Sequence, residues 1–331
     1  MSSPLPGLPD LSRGVPAAGL ADAPVRPVAA GIELRSVSRW YGNVVAVNDI
    51  SFTLGPGVTG LLGPNGAGKS TLLHLMSGFL RPSAGEVVVA GGPAWRRPAL
   101  YRHVGLVPER EAVYPFLTGF EFARFNARLQ GLPDPDAAAA RAIELVDLGA
   151  AQHRPVGTYS KGMRQRAKVA GALVHDPPIL LLDEPFNGMD PRQRLSMMEL
   201  LRHMAEEGRV VLFSSHILEE VERLAERVLV VVAGRLAASG DFRAIRKLMT
   251  DRPHTFTVVS SDDRRLAAAL LDVPAVFGVE LVGESLTVRT SDFAAFTRAI
   301  AGAARAAGVT LFELLPTDES LESVFSYLVE R

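Results

Sequence analysis

The chain has 331 residues, of which 47% are hydrophobic and 21% are charged, so it is long enough for two domains and too apolar to be disordered throughout. Its 35 Lys and Arg residues almost balance its 36 Asp and Glu residues, and the net charge of -1 argues against a strongly basic surface for nucleic acid. Cysteine is absent, which excludes disulfide bonds, thiol catalysis and cysteine-ligated zinc.

Residues 1–30 hold six prolines and show little hydrophobic periodicity, which predicts a disordered tail. They also lack the basic start and apolar middle of a secretory signal peptide. No stretch of the chain reaches the roughly 18 apolar residues that a membrane span needs. We therefore expect a cytoplasmic protein.

Strand-like patterns begin at Gly31. Residues 50–54 alternate between apolar and polar side chains, as a half-buried strand does, and residues 58–62 form a short apolar run. A glycine-rich loop and a helix follow that run, and residues 86–90 predict a further strand. The helix is expected to bury Leu72, Leu73, Leu75 and Met76.

Residues 118–174 are rich in Ala, Arg and Leu and are predicted to be helical. Two strands follow at 179–182 and 210–213, because continuous aliphatic runs are typical of strands that are covered on both faces. A helix at 192–207 separates them. Strands that alternate with helices predict an α/β fold with a mostly parallel sheet, here over residues 31–240.

Residues 241–331 start a new pattern, which predicts a small second domain. Strands and helices are expected in the order βαββαβ, followed by a last helix at about 319–329. This order is that of the α+β ferredoxin-like unit.

The loop after residues 58–62 has the sequence G-P-N-G-A-G-K-S and fits the phosphate-loop pattern, in the strand–loop–helix setting that the pattern requires. Glycines let backbone N–H groups turn toward phosphate oxygens, and the helix N-terminus adds partial positive charge. The lysine would reach the β- and γ-phosphates of a nucleotide. The alternative is an ordinary glycine-rich turn, which the flanking strand and helix disfavour. The predicted nucleotide-binding residues are Gly63, Pro64, Asn65, Gly66, Ala67, Gly68, Lys69, Ser70 and Thr71.

Asp183 and Glu184 end the strand at 179–182, at the carboxyl edge where parallel sheets bind ligands. A buried and unpaired carboxylate would cost several kcal/mol, so each needs a partner. A Mg²⁺ ion would account for Asp183, and an attacking water would account for Glu184. The alternative is a solvated acidic pair, which the phosphate loop disfavours.

His216 follows the strand at 210–213 in the sequence F-S-S-H. A single histidine after a strand is most often packed or solvated. Here a second buried strand ends beside the expected nucleotide, so His216 is a candidate to point at the γ-phosphate. A hydrolase triad of Ser215, His216 and Asp183 would need a nucleophile elbow, which the sequence lacks.

The segment 159–166, Y-S-K-G-M-R-Q-R, lies about twenty residues before Asp183 and resembles the signature segment of ATP-binding cassette (ABC) proteins. Phosphate loop, signature, acidic pair and histidine occur in the order of that family, over residues 31–240. The resemblance implies a P-loop ATPase domain with a helical subdomain. It also implies a head-to-tail pair, with each ATP between one subunit's phosphate loop and the other's signature.

The resemblance further implies roles for single residues. Glu184 would polarise the attacking water, and His216 would hold that water and the γ-phosphate. Tyr41 would stack on adenine, with Trp40 as a neighbouring alternative, and Asp190 lies in the loop that would cross the dimer interface. The residues expected at the partner's ATP are Ser160, Lys161, Gly162 and Met163. Those expected at Mg²⁺ are Ser70, Asp183 and Glu109.

Several positions depart from the pattern of that family. Glu109 stands where glutamine is usual, and its carboxylate would bind Mg²⁺ more strongly while repelling phosphate. In the signature, Tyr159 replaces leucine, Lys161 replaces glycine and adds positive charge, and Met163 replaces glutamine and loses its hydrogen-bonding side chain. Phe186 replaces the more usual threonine. The other catalytic positions are intact, so we expect both sites of a homodimer to hydrolyse ATP.

Residues 315–325 resemble the end of ATPase subunits from exporters of drugs, antibiotics, sodium or polysaccharide. This resemblance implies an exporter whose separate polytopic permease would dock a short helix on residues 114–156. It implies two partners, the permease and a second copy or a paralogue, and a peripheral place on the inner face of the cell membrane. A simpler interpretation, in which 315–325 supplies the buried face of the last helix, is compatible with it.

Two other functions stay open at this level. The first is a soluble ABC ATPase that acts on nucleic acid or ribosomes, but such proteins usually have two cassettes, a long coiled coil or zinc cysteines, and this sequence has none of them. The second is a kinase, which would need an acceptor pocket and has no use for the signature. We expect no nucleic acid partner. One basic cluster is interpreted as a solvated face near ATP: Arg154, Lys161, Arg164, Arg166 and Lys168.

Overall fold

The computed structural model describes residues 31–110, 112–241, 254–283 and 285–316. The predicted tail at 1–30 and the predicted helix at 319–329 lie outside these residues. Within the described part of the chain, no helix combines the length and hydropathy that crossing a bilayer requires.

Residues 31–241 form alternating strands and helices. The strands are β1 (Ile32–Tyr41), β2 (Val44–Leu54), β3 (Gly57–Leu62), β4 (Ala84–Val89), β5 (Gly92–Pro93), β6 (Val104–Val107), β7 (Ile179–Asp183), β8 (Val210–Ser215), β9 (Arg227–Val232) and β10 (Arg235–Gly240). The helices are α1 (Lys69–Met76), α2 (Gly119–Leu129), α3 (Pro135–Leu145), α4 (Lys161–Leu173), α5 (Pro191–Glu206) and α6 (Leu218–Leu224).

The central sheet has six strands in the order β10-β9-β3-β8-β7-β6. All neighbours are parallel except β9 and β10, which are antiparallel. Every residue of β7 and β8 is buried, because helices cover both faces of the sheet. The predicted α/β fold is confirmed, and the carboxyl ends of β3, β6, β7 and β8 lie along one edge.

A second, antiparallel sheet was not anticipated as a separate layer. Its strands lie in the order β2-β1-β4-β5. Apolar residues of β1 such as Ile32 and Leu34 share one cluster with Leu72 and Leu73 of α1 and with Leu181 of the central sheet. Helix α1, which follows the phosphate loop, is therefore packed between two sheets.

Helices α2, α3 and α4 pack on one another at the other side of the central sheet. Helix α2 begins with a capping box: the Thr118 hydroxyl accepts from the Glu121 N–H at 3.1 Å, and the Glu121 carboxylate accepts from the Thr118 N–H at 2.9 Å. Ser160 caps the N-terminus of helix α4, and its hydroxyl accepts from the Met163 N–H at 3.2 Å. The helical subdomain that the resemblance implied is thus present.

Residues 254–316 form a third sheet with its own core. The elements are β11 (His254–Ser260), α7 (Asp263–Leu271), β12 (Val276–Val282), β13 (Ser285–Thr290), α8 (Phe293–Ala306) and β14 (Leu311–Pro316). The strands are antiparallel in the order β12-β13-β11-β14, which is the ferredoxin-like arrangement. Phe256 and Phe296 lie at the centre of its apolar cluster, with ring centroids 4.6 Å apart. The limits 31–240 and 241–331 for two domains stay a prediction.

Candidate active site

The phosphate loop joins β3 to α1 and turns on two glycines with left-handed backbone, Gly66 (φ 80°) and Gly68 (φ 105°). A Cβ at Gly68 would collide with the Ala46 carbonyl oxygen, so this position requires glycine. Lys69 is 7% exposed, and its Nζ donates to the Gly63 carbonyl at 2.7 Å. The ammonium group is therefore held inside the loop.

Three acidic residues lie close to Lys69. Burial lowers the pKa of Lys69, while the charges of Glu184, Asp183 and Glu109 act in the opposite direction. Glu109 follows β6, Asp183 ends β7 and Glu184 comes directly after it, so adjacent strands deliver all three. They line one open cavity of 340 Å³ together with the phosphate loop. The lining residues are Ala46, Asn65, Gly66, Ala67, Gly68, Lys69, Ser70, Thr71, Glu109, Asp183 and Glu184.

Ser214 organises the acidic pair. Its hydroxyl donates to Asp183 Oδ1 at 2.6 Å and accepts from the Glu184 N–H at 2.9 Å. Ser214 is fully buried and lies opposite Asp183 in the parallel pairing of β7 with β8. No sequence motif marks Ser214 as a site residue. The available signal is its place directly before Ser215 and His216 at a strand end.

Glu184 and His216 form the second pair at this edge. Both carboxylate oxygens of Glu184 lie 3.0 Å from Nδ1 of His216. Glu184 has φ 50°, a left-handed backbone that non-glycine residues rarely adopt and that is concentrated at functional sites. Burial raises the pKa of Glu184, and the bond to His216 opposes this effect. A perturbed carboxyl group in a cleft is typical of an acid–base residue.

The cavity contains the donor set that a Mg²⁺ ion requires. Ser70, Asp183 and Glu109 offer one hydroxyl and two carboxylates along its wall. Proteins usually bind Mg²⁺ through one or two carboxylates, with water and nucleotide phosphates completing the shell. The bond from Ser214 already orients the Asp183 carboxylate. The residues present therefore fit a Mg²⁺ ion that arrives with a nucleotide.

The signature lies away from this cavity. Its Ser160 caps α4, and its Gly162 is packed so closely that a Cβ there would collide with the Gln193 side chain. A Cβ at Gly188 would in turn collide with Lys161. The start of α4 and the 187–193 loop therefore form one surface. Asp190 lies in that loop and caps α5, where its Oδ1 accepts from the Gln193 N–H at 2.9 Å.

Three of the residues that depart from the family pattern, Tyr159, Met163 and Phe186, have packing roles. Tyr159 is 3% exposed, and its hydroxyl donates to the Ala151 carbonyl at 2.7 Å, which anchors the signature to the helical subdomain. Met163 is half-buried against the same core cluster. Phe186 is 1% exposed and packs edge-on against Phe213, with ring centroids 5.6 Å apart. These substitutions add apolar contacts where the family pattern has smaller or polar residues.

Tyr41 lies at the end of β1, outside the lining described for the cavity. It and Trp40 are each 44% exposed. The Arg39 guanidinium carbon lies 4.7 Å from the centre of the Tyr41 ring. The Arg39 cation thus covers one face of the Tyr41 ring, and stacking of adenine on Tyr41 or Trp40 stays a prediction.

The interpretation of the basic cluster as a solvated face was wrong for most of its members. Lys168 is 6% exposed, and its Nζ donates to the carbonyls of residues 108–110. Arg164 and Arg166 are half-buried, and each donates to a backbone carbonyl at 2.6 Å. Arg154 and Lys161 are exposed, as the interpretation expected. The other three cations are bound to the chain's own backbone, so periodicity and charge alone misjudged their surroundings.

Comparisons with known proteins agree with this geometry. A family model described as ABC transporter matches residues 47–187. An uncharacterised ABC transporter ATP-binding protein of Nostoc sp. is 41% identical over 218 residues, which are 63% of this chain and 64% of that protein. The chain thus spans less than two thirds of this relative.

A second relative is matched over more of its length. The Nod factor export ATP-binding protein I of Rhizobium leguminosarum bv. viciae is 35% identical over 270 residues, which are 80% of this chain and 85% of that protein. A solved structure of the ATP-binding subunit of an ABC transporter has a TM-score of 0.60 at 28% identity, over 65% of this chain and 91% of that chain. The chain therefore belongs to the ABC transporter family, among its ATP-binding subunits.

Proposed function

We propose that the chain hydrolyses ATP as part of a head-to-tail dimer, with Mg²⁺, and that this reaction drives a separate permease of an exporter. One observation carries the proposal. The phosphate loop, Asp183 and Glu184 line one cavity, whereas none of the signature residues is among the described residues of that lining. Because the signature lies away from the nucleotide cavity of its own chain, it is suited to contact the ATP of a partner chain.

Hydrolysis follows from the placement of a few groups. Lys69 and the N–H groups of the phosphate loop hold the β- and γ-phosphates, and the Glu184 carboxylate accepts a hydrogen bond from the attacking water. His216, 3.0 Å from that carboxylate, orients it and the γ-phosphate. Ser70, Asp183 and Glu109 hold Mg²⁺, which when bound neutralises phosphate charge. Phosphoryl transfer is mostly positioning and charge neutralisation, so these roles are sufficient.

The start of α4 is suited to the second copy's ATP. Its first turn carries no acidic residue, and the exposed Lys161 adds positive charge to the helix N-terminus. Unsatisfied N–H groups and the helix dipole make such an end attractive to phosphate. Because Gly162 packs against the 187–193 loop, the signature and Asp190 would meet the partner together.

Exposed aromatic residues offer a surface to the permease. Tyr114 and Phe125 are half-exposed with ring centroids 6.2 Å apart, and Phe116 is 76% exposed. Phe79 and Tyr101 flank a neighbouring cavity of 290 Å³. Contiguous exposed apolar groups mark interaction sites, and an amphipathic helix lies with its apolar face in such a groove.

This surface extends the docking region that the sequence placed at residues 114–156. The export direction is supported by the resemblance of residues 315–325 and by the name of the Rhizobium relative. Coupled to a permease in this way, the subunit would work on the inner face of the cell membrane.

The central experiment measures Mg-ATP hydrolysis by the purified chain and by Glu184→Gln. We expect the variant to lose about 10²-fold or more in kcat, because an amide cannot take part as a general base. It should still bind ATP and, when saturated with it, form a dimer that light scattering detects. An unchanged rate would contradict the role of Glu184, and a variant that stays monomeric would contradict the head-to-tail pair.

A further experiment addresses the permease. Purification of the chain from its native membranes in mild detergent should bring down a polytopic membrane protein. Replacement of exposed Phe116 by Asp should abolish that association and leave the basal ATPase rate intact. Retention of the permease by this variant would argue against the aromatic surface.

A further inference from the structure

Helix α4 touches two loops of its own active site. Gln165 and Lys168, three residues apart, lie on the same face of the helix. Both side chains are buried, at 5% and 6% exposure. A buried ammonium group is costly unless polar partners replace its water, so the position of Lys168 requires a structural reason.

Lys168 binds the start of the Glu109 loop. Its Nζ donates to three consecutive carbonyls, those of Pro108 at 2.6 Å, Glu109 at 3.1 Å and Arg110 at 3.3 Å. An ammonium group has three N–H donors, so it can bind several acceptors of this loop at once. The carbonyls face Lys168, while the Glu109 side chain lines the nucleotide cavity.

Gln165 makes a parallel connection one turn earlier. Its Nε2 donates to the Glu184 carbonyl at 3.4 Å. The two loops that carry Glu109 and Glu184 are thus attached to one face of the helix whose first turn is the signature.

We propose that Lys168 is a positioning residue: it holds the 108–110 loop so that the Glu109 carboxylate faces the Mg²⁺ site, and it ties that loop to α4. This inference rests on the proposed function, because it takes the signature to contact a second ATP. A shift of α4 at the partner's ATP would then move Glu109, which is a metal ligand at the chain's own ATP.

The test uses the full chain with Lys168→Met and Lys168→Arg. Methionine keeps an unbranched stem but has no donors, whereas arginine keeps the charge and the donors. Binding of Mn²⁺, used in place of Mg²⁺, is measured by electron paramagnetic resonance with a non-hydrolysable ATP analogue. Binding of a fluorescent ATP analogue is measured separately in EDTA.

We expect Lys168→Met to weaken Mn²⁺ binding by about tenfold or more, as loss of a group that orients a metal ligand does. The affinity of Lys168→Met for the fluorescent ATP analogue in EDTA should stay near the wild-type value. Lys168→Arg should retain much of the wild-type Mn²⁺ affinity. Equal Mn²⁺ affinity of Lys168→Met and wild type overturns the proposal.

A double-mutant cycle with Glu109→Gln keeps the test decisive if Lys168→Met also lowers the melting temperature. When Glu109 is already replaced, Lys168→Met should cost no further Mn²⁺ affinity, and an equal additional loss overturns the proposal. Failure of the proposed function would show elsewhere, as a wild-type chain that neither hydrolyses ATP nor dimerises.

Discussion

The Ser215 hydroxyl donates to the Glu220 carboxylate at 2.6 Å and so fastens the chain one residue before His216. Glu220 is 4% exposed, and its second oxygen lies 3.4 Å from the Arg194 guanidinium. The loop that carries His216 is therefore attached to α6 and, through Arg194, to α5. Because Asp190 caps α5, the loop that carries His216 and the 187–193 loop share a support.

The first prediction concerns this support. Glu220→Ala should lower the free energy of unfolding by about 1–3 kcal/mol, because the Ser215 hydroxyl and Arg194 lose a charged and buried acceptor. The rate of ATP hydrolysis should fall as well, since His216 loses its fixed position. Urea unfolding followed by tryptophan fluorescence measures the stability, because both tryptophans lie within residues 31–240.

Glu219→Ala is the matched control. Glu219 is the preceding residue, but it is exposed and pairs with Arg223 at 2.9 Å on the surface. Exposed ion pairs contribute about 0–1 kcal/mol. Equal losses of stability for the two variants would show that the buried carboxylate has no special role.

The second prediction concerns Ser214. Ser214→Ala removes the donor to Asp183 and the acceptor of the buried Glu184 N–H. We expect kcat for Mg-ATP to fall by about tenfold or more, since a bond of about 1–3 kcal/mol is lost. KM should change little, because the phosphate loop is untouched. Ser196→Ala is the control, since that hydroxyl only donates to the Arg192 carbonyl on an exposed face. A change in KM alone would contradict this assignment.

The residues that the sequence identified lie in contiguous motifs. The loop at 63–70 and the pair Asp183–Glu184 have a fixed spacing, because each must present several groups to one ligand from a single turn or strand end. The strands around them were predictable for the same local reason. A continuous aliphatic run such as 179–182 has few alternatives to a buried strand.

The role of Ser214 was not predicted, and Lys168 was wrongly assigned to a solvated face, because the surroundings of both side chains depend on residues that are distant in the chain. Ser214 faces Asp183 only in the register that β7 and β8 adopt. Lys168 reaches a carbonyl 60 residues earlier in the chain. The separate antiparallel sheet was missed for a similar reason, since single strands do not reveal their neighbours.

The third prediction is a pH dependence of stability. The pKa of Glu184 is raised above its ordinary value of 4.5, mainly by burial, so the folded chain holds this proton more tightly than the unfolded chain. Stability then falls as the pH rises from about 4.5 through the raised pKa, because the charged form is disfavoured in the folded state. Glutamine cannot ionise, so Glu184→Gln should be more stable than wild type above that range.

Thermal unfolding without nucleotide measures this effect. The melting temperature of Glu184→Gln should exceed that of wild type at about pH 8, and the two should converge near pH 4, where the glutamate is protonated in both states. Glu199→Gln, on the exposed side of α5, should leave the melting temperature close to wild type. A variant less stable than wild type at pH 8 would mean that the contacts of Glu184 with His216 outweigh its burial.

The fourth prediction concerns Phe186, where the family pattern has threonine. Phe186→Thr should lower the free energy of unfolding by about 3–5 kcal/mol, the range for truncation of a buried phenylalanine, because the hole against Phe213 cannot be filled and a hydroxyl is buried there. Phe116→Thr, at a position 76% exposed, is the control and should change stability by less than about 0.5 kcal/mol.

The same variant separates packing from chemistry. Phe186 lies two residues after Glu184, yet its ring faces the core and not the cavity. If its role is packing, Phe186→Thr at a temperature well below its melting point should bind Mg-ATP with near wild-type affinity. A variant that folds normally but loses nucleotide binding would instead place this ring among the groups that shape the site.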